Sequence, residues 1–373
     1  MRYRVRYQTP DNRQTSKSFP DKRLEKAKAF KLQVEAEALE ATGAKRPSGD
    51  ILVRDYGDLY RKGRSQDESS QIRLGSLLKN QIYRFMGDLT VEEVDIDTLR
   101  DWKEWMTKVA KISASCQSQA WGTLSAMLEA AMAEGRIRSN PCRSKSISAP
   151  QPPKRKIRPW PESKLRRVER ALDSRYLIVV PLGAGLGLRQ GEILAFSPDD
   201  IDRNNLLYHC NRQLVYRNGV LAFKLPKGHK TRTIPIGDGV LDAVNRHMEE
   251  HPPVTITLPW VEQDGQDYET AKLLIATPRD TAWIPQMFSD DVWVPAFEAA
   301  QLRYEKRRDG MHALRHLFAS HMLAQGVTIK ELAEYLGHSS EAFTLRTYVH
   351  LMPSSHTRAR QAANALFSPG SSG

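Results

Sequence analysis

Residues 310–351 read GMHALRHLFASHMLAQGVTIKELAEYLGHSSEAFTLRTYVHL, and the reading of the whole chain turns on them. His312, Arg315 and His316 lie three and four positions apart, so on a helix they share one face. Gly326 breaks that helix. A second helix carries Leu332 and Tyr335 and ends at Leu336-Gly337-His338, and a third, short one carries Tyr348. Two plain readings exist for this stretch in isolation. The i, i+4 spacing of His312 and His316 suits a zinc site, but Ala-Leu-Arg stands between them in place of a metalloprotease glutamate, and a cationic Arg315 there opposes Zn²⁺. Tyr348 alone reads as a half-buried core tyrosine. The same set of histidines, arginine and tyrosine can also converge on one phosphate, and what decides between these readings lies upstream.

The chain has 373 residues, enough for two or three domains and at least one full-sized core. Its 56 basic against 44 acidic residues leave a net charge of +12, with a pI near 9.5, which favours a polyanionic partner. Cys116, Cys142 and Cys210 are scattered, with neither metal spacing nor an even-numbered framework. That fits a reducing cytoplasm, with each thiol a small packed side chain. No signal peptide is expected. The longest mostly apolar run, 177–188, is too short to span a bilayer and contains three glycines. A soluble, intracellular protein that meets no membrane is expected.

Residues 2–7 alternate strictly, with Arg2, Arg4 and Arg6 on one face and Tyr3, Val5 and Tyr7 on the other, which is the pattern of a half-buried strand. A turn at Thr9-Pro10-Asp11-Asn12 leads to a second strand at 16–19. Asp21 then caps a helix with the stripe Leu24, Ala27, Phe30, Val34 and Ala38. The arginine face suits a DNA groove and its phosphates, and equally suits a solvated strand face. After a polar linker at 45–49, four amphipathic helices are expected. The first is capped by Asp50, with Ile51, Val53, Tyr56 and Leu59 inward. The second carries Ile72, Leu77, Leu78, Ile82 and Phe85, and the third, capped by Asp97, carries Leu99, Trp102, Met106 and Val109. Trp121, Leu124, Leu128 and Ala131 mark the fourth. Basic residues scattered over this bundle can grip DNA, but such a scatter is more often ordinary surface. From 143 to 161 the chain is rich in proline and positive charge, including Lys154, Arg155, Lys156 and Arg158. The prolines hold it extended and the charges favour phosphates, whether it tracks a duplex or simply tethers two domains.

The segment Gly183-Ala-Gly-Leu-Gly-Leu-Arg189-Gln-Gly-Glu192 superficially suggests a phosphate loop, yet no strand clearly precedes it, the Walker lysine is missing and the Rossmann spacing fails. Arg189 at a helix start, projecting into a cleft, is the better reading, with Glu192 orienting it or pairing with another basic group. Strands are expected at 206–210, 213–216, 220–225 and 231–236, with Lys227 at a hairpin tip between the last two. A helix at 238–250, a strand at 273–276 and a helix at 290–303 follow. A terminal helix at 355–367 and a loose tail close the chain.

The order Arg189-x-x-Glu192, Lys227, His312-x-x-Arg315-His316, Leu336-Gly337-His338 and Tyr348 resembles the tyrosine recombinases, or phage-type integrases. The words GLRQGEILAF, KGHKTRTIPI, LGHSS and TYVHL have that family's look, and the signature runs from Arg189 to Tyr348. Ala313 stands where the family often has aspartate, and Tyr348 follows His338 by ten positions where nine is common. The resemblance implies a mainly α fold with small β-sheets (α+β). It implies an arm-type DNA-binding domain at 1–45 (a small sheet plus helix), a four-helix core-binding domain at 50–145 and a basic linker at 146–160. A mixed, mainly helical catalytic domain at 161–367 and a flexible tail at 368–373 complete it. The implied activity is site-specific cleavage and rejoining of DNA through a covalent 3′-phosphotyrosine on Tyr348, integrating or excising a phage or mobile element. Arg189 and Arg315 would bind the non-bridging oxygens, and Lys227 would protonate the leaving 5′-oxygen. His312 and His338 would hydrogen-bond the phosphate, with His312 able to accept the tyrosine proton, and His316 would support the fold. No metal and no cofactor are expected, because two arginines supply the charge. Expected partners are double-stranded DNA at core and arm sites and three further copies on that DNA, with an excisionase or a host DNA-bending protein in addition. The expected location is the cytoplasm, at the nucleoid or in an infected host. The alternatives are a non-catalytic DNA-binding protein on the same fold and a type IB topoisomerase. Retention of Tyr348 and both arginines disfavours the first, and the arm-like N-terminus and bundle disfavour the second.

Overall fold

A computed structural model describes residues 2–8, 14–20, 30, 50–64, 68–152, 157–261, 267–351, 360, 363 and 364. Outside these lie the helix expected after Asp21 (except Phe30, which is helical), the linker at 45–49 and the basic positions Lys154, Arg155 and Lys156. So do the tail and all of the terminal helix but three residues. The chain divides into two compact units, Met1–Lys154 and Arg155–Gly373.

In the first unit, β1 (Arg2–Gln8) pairs antiparallel with β2 (Gln14–Pro20), setting Arg2 opposite Pro20 and Gln8 opposite Gln14. Arg2, Arg4 and Arg6 take alternate positions of β1. The helical part comprises α1 (Val53–Lys62), α2 (Glu68–Leu77, running on through Leu78–Tyr83 and Arg84–Met86), α3 (Ile96–Glu104, running on through Trp105–Val109) and α4 (Ala114–Ala133). Its core stacks Trp102 on Trp121, with ring centroids 6.1 Å apart, among Tyr56, Leu78, Ile82, Leu99, Met106, Leu124 and Leu128. The buried Trp102 indole donates to the Gln81 carbonyl at 2.8 Å, so its polar edge costs nothing on burial. Three expected core residues face outward instead, namely Leu59, Ile72 and Val109. On α1 the buried stripe runs Val53, Tyr56, Gly57 with Tyr60 half-buried, one helical step away from Leu59. The first helix starts at Val53 without a side-chain cap, and the third is capped by Asp95, which accepts from Thr98 N, while Asp97 pairs with Arg100.

The second unit packs α5 (Glu162–Ala171), α6 (Val179–Gly185) and α7 (Gln190–Leu194) with three small antiparallel sheets and the C-terminal helices. β3 (Ile201–Asp202), β4 (Leu207–Cys210) and β7 (Arg232–Pro235) form one sheet in the order β3-β4-β7. β5 (Gln213–Arg217) and β6 (Val220–Lys224) form a hairpin nested between its strands. The hairpin turns at Asn218-Gly219, both in the left-handed region, as a tight two-residue turn requires. Consequently β6 and β7 belong to different sheets. Lys227 therefore sits in the connection between two sheets and not at a hairpin tip, because the ladder of β6 ends at Lys224 and Pro226 has no N–H to extend it.

After α8 (Asp238–Glu250), β8 (Val254–Pro259) and β9 (Tyr268–Leu273) make a further hairpin where only a strand at 273–276 was expected. The α9 helix (Pro285–Phe288, running on through Ser289–Trp293 and Val294–Ala299) starts earlier than 290, with Pro285 in its first turn. Three helices close the described chain: α10 (His312–Ala324), α11 (Ile329–Leu336) and α12 (Glu341–Tyr348). A Cβ on Gly183 would lie 2.6 Å from Leu314, so that glycine lets α6 and α10 approach closely. The glycine run is thus a packing device. Among the described residues, no helix is long and apolar enough to cross a membrane.

Candidate active site

The C-terminal end of α11 organises the site. A capping box of Thr328 and Glu331 starts this helix, and Gly337, at φ +60°, stops it. A helix leaves its last carbonyls unpaired and slightly negative. Here three consecutive ones each accept from a different arginine. Arg232 Nε donates to Tyr335 O at 2.7 Å, Arg315 Nη2 to Leu336 O, and Arg189 Nη2 to Gly337 O at 3.2 Å. The three cations come from β7, α10 and the residue before α7, so long-range folding alone assembles them.

Glu192 is fully buried among these arginines. It accepts from the Arg189 backbone N–H and Nη1, both at 2.8 Å, and from both terminal nitrogens of Arg232, at 2.9 and 2.6 Å. Burial pushes its carboxyl up, but Arg232, Arg189 and Arg315 outweigh that and hold it at about 2. Glu192 therefore both orients Arg189 and pairs with another basic group. Arg315 has no exposed surface, and its Nη1 donates to Gly187 O at 2.7 Å. Gly187 provides that carbonyl from a left-handed conformation, packed against Phe318 where a side chain would clash. Among the described residues, Arg315 Nε has no hydrogen-bond partner. Burial and the neighbouring Arg189 draw its pKa down to about 9, which leaves it cationic at neutral pH. A buried N–H without a partner is costly, and it marks where an acceptor is missing.

The histidines and the tyrosine line the same place. Tyr348, 1% exposed, is packed among Phe318, Ala319, Leu323, Leu332 and Leu336. Its hydroxyl shares a 2.8 Å hydrogen bond with His316 Nδ1. His312, at the first position of α10, stands edge-on to His316 with centroids 4.5 Å apart. His338 lies parallel to the Tyr348 ring at 6.4 Å and shares a 2.7 Å hydrogen bond between its Nδ1 and the buried Thr344 hydroxyl, leaving Nε2 for a ligand. His312 keeps exposed surface at the edge of the site, but desolvation of its ring, and then Arg315 and Arg189, lower it to about 4, while burial, the arginines and His312 lower His338 to about 3. Burial, His312 and Arg315 lower His316 to about 3. Burial lifts the Tyr348 phenol to about 12 against the pull of Arg315 and Arg189. Lys227 is exposed in the β6–β7 connection, and its charge is among those that depress His312. Beyond the site, Arg158 is exposed. Two segments brace the cluster. Asp309, just before α10, accepts from Trp160 Nε1 at 3.1 Å and from Lys164 at 2.6 Å, and His350 Nε2 shares a 2.7 Å hydrogen bond with Ile157 O.

Comparison with known proteins decides what this constellation belongs to. The Phage integrase family matches residues 163–354, and the Phage integrase SAM-like domain matches residues 56–147. The chain belongs to the phage integrase family. Among relatives of this integrase-family chain is a XerC-like tyrosine recombinase of Caldanaerobacter subterraneus subsp. tengcongensis. It is 27% identical over 64% of this chain and 62% of its own length, so this chain spans less than two thirds of that relative. A putative prophage phiRv2 integrase of Mycobacterium tuberculosis is 24% identical over 79% of this chain and 73% of its own. The fold is shared with the Tn1549 transposon integrase solved in complex with a circular intermediate DNA, at a TM-score of 0.69 and 18% identity, over 84% of this chain and 99% of that one. A lambda integrase tetramer bound to a Holliday junction matches at 0.57 and 17%, over 90% and 93%.

Within this integrase-family chain the structure brings Arg189, Glu192, His312, Arg315, His316, His338 and Tyr348 together and leaves Lys227 at the rim. Three placements within the cluster differ from expectation. His316, and not His312, holds the Tyr348 hydroxyl. Arg232 and Thr344 join the cluster unforeseen, since nothing local to either residue reports a partner forty or six positions away.

The three depressed histidines carry a stability consequence. Each has a folded pKa below its unfolded value of about 6.5, so the unfolded chain binds more protons as the pH falls through 6.5. Stability contributed by the neutral rings is thus present above 6.5 and is lost progressively through 4 towards 3. The midpoint of thermal unfolding of this second unit should fall between pH 7 and pH 4.5, and His316→Gln should flatten that slope. Equal slopes in the two proteins would rule the histidines out as its source.

Proposed function

We propose that the chain is a site-specific DNA recombinase that cleaves and rejoins strands through a covalent 3′-phosphotyrosine on Tyr348, serving a phage or another mobile element. The observation that carries this reading is the convergence, on the end of α11, of two arginine forks with a buried phenol and neutral histidines. Two guanidinium groups match the paired non-bridging oxygens of a phosphodiester, and the unpartnered Arg315 Nε supplies a donor in wait for one of them. The Tyr348 oxygen attacks phosphorus, the bond to the 5′-oxygen breaks, and Lys227 gives that oxygen its proton. Attack by another strand's 5′-hydroxyl reverses the sequence, so the bond energy is stored in the phosphotyrosine linkage. His312 and His338, uncharged at neutral pH, donate hydrogen bonds to the phosphate without adding to the arginines' repulsion.

His316 has a different part. Burial keeps its ring neutral and keeps the Tyr348 phenol protonated in the resting site. His316 therefore holds the hydroxyl in the resting site. Arg315 and Arg189 favour ionisation of Tyr348, and His312 at the mouth is the proposed acceptor of its proton.

On this reading residues 1–45 bind arm sites, 50–145 grip the core site, the basic segment 146–160 binds phosphates, and 161–367 carry the chemistry. Four copies act on two duplexes in the cytoplasm, at the nucleoid or in an infected host, with an excisionase or a host bending protein setting direction. The test is a nicked duplex built from the element's ends, incubated with the chain in EDTA. An adduct that survives denaturation is expected, and its absence on every end sequence overturns the reading.

A further inference from the structure

Arg232 is a buried cation outside the residues just given roles. Its side chain is 7% exposed and each of its three nitrogens donates within the protein: both terminal nitrogens to Glu192, and Nε to Tyr335 O. Its shaft lies against the backbone before His338, because a Cβ on Gly337 would stand 3.0 Å from Arg232 Cδ. Arg232 therefore touches both halves of the site. One contact runs through Glu192 to Arg189, and the other runs through the Tyr335–Gly337 backbone to His338.

We infer that Arg232 is a positioning residue for strand cleavage, which holds Glu192 so that Arg189 faces the scissile phosphate and which pins the end of α11 that carries His338. This rests on the recombinase reading of Arg189 as a phosphate ligand. The physical reason lies in the geometry of the fork. Glu192 has two oxygens and two arginines to serve. With Arg232 in place its plane is fixed by two parallel N–H bonds, and Arg189 receives the remaining lone pairs in one orientation only. Without Arg232 the carboxylate turns freely, and Arg189 turns with it. A misplacement near 1 Å at a reacting centre lowers rate by about 100-fold. Charge points the same way. Arg189, Arg232 and Arg315 against Glu192 leave an excess of positive charge facing a phosphodiester and a tyrosine that must lose its proton.

The experiment compares Arg232→Met, Arg232→Lys and the unaltered chain in single-turnover cleavage of the nicked duplex. One duplex carries an ordinary scissile phosphodiester, and the other a methylphosphonate, whose neutral phosphorus has one non-bridging oxygen fewer and needs less from Arg189. On the phosphodiester Arg232→Met should slow adduct formation by about 100-fold with DNA affinity unchanged, and Arg232→Lys should fall between. On the methylphosphonate the deficit should shrink to a few-fold. A defect of folding alone slows both duplexes equally, and that result, or full activity on the phosphodiester, overturns the inference. Should Arg232→Met fail to fold, Arg232→Lys carries the same comparison. A pH series gives a second readout. Glu192 is faced by Arg189 beside it, Arg232 from β7 and Arg315 from α10, with Tyr208 and Cys210 on β4 also near. Removing Arg232 lets burial raise the carboxyl, so the variant should lose activity on acidification at a pH where the unaltered chain is level. Coincident profiles contradict the inference. If the unaltered chain forms no adduct, the recombinase reading fails first and this inference falls with it.

Discussion

A chain carrying Tyr348→Phe should bind its core duplex normally and form no covalent adduct at all. The ring stays in its pocket among Phe318, Leu332 and Leu336, so packing is conserved. Only the hydroxyl and its bond to His316 are lost, which costs about 1 kcal/mol of stability. Chemistry loses far more, because no other group takes over bond formation when a nucleophile acting as part of a unit is removed. The expected loss is about 10⁴-fold or greater, below detection on a denaturing gel. Band-shift affinity and the thermal midpoint are the controls. Adduct formed by the Phe variant at an appreciable rate would place the nucleophile elsewhere.

Arg315→Ala is the second large effect, and it divides between fold and chemistry. The substitution strips the donors from Gly187 O and Leu336 O, each a buried carbonyl whose loss of a partner costs about 1–3 kcal/mol. Relief of repulsion with Arg189 and Arg232 offsets part of this. On the proposed reading the variant also loses a preorganised donor to the phosphate in cleavage, and such donors are worth about 10²–10³ in rate. Arg315→Lys keeps the charge but cannot reach both carbonyls and the phosphate together, so it should recover stability more than rate. Cleavage by the Ala variant at the rate of the unaltered chain would show that the unpartnered Nε faces nothing of consequence.

Much of the second unit was legible because its signals are local. The face shared by His312, Arg315 and His316, the stop at Gly337 and the helix at 238–250 follow from periodicity and glycine, and the structure holds them with small shifts of boundary. The Asn218-Gly219 turn was equally local. Its dipeptide marks a hairpin, and it would have separated β5–β6 from β7 and corrected the setting of Lys227. The β8–β9 hairpin was harder to see. Thr255 and Thr257 alternate with buried Ile256 as an edge strand should, but Pro252, Pro253 and Pro259 crowd its ends.

The pairings inside the site are illegible for a deeper reason. Arg232 reads as one more basic residue in a basic chain, and only the nesting of one hairpin inside another sheet carries it to Glu192, forty positions upstream. That His316 meets the Tyr348 hydroxyl depends on which way Tyr348 enters from α12, which no pattern within α10 encodes. Residue type and order suffice to propose what the chemistry needs. Partners within the cluster are set by tertiary packing.

The most direct test of a nucleophilic Tyr348 is to digest the covalent adduct formed on a nicked core duplex and to find, by fragmentation mass spectrometry, which residue carries the nucleotide. The account predicts a 3′-phosphoryl nucleotide on Tyr348, within the peptide that begins at Thr347. A nucleotide on any other side chain, Tyr335 at the neighbouring helix end included, would contradict it.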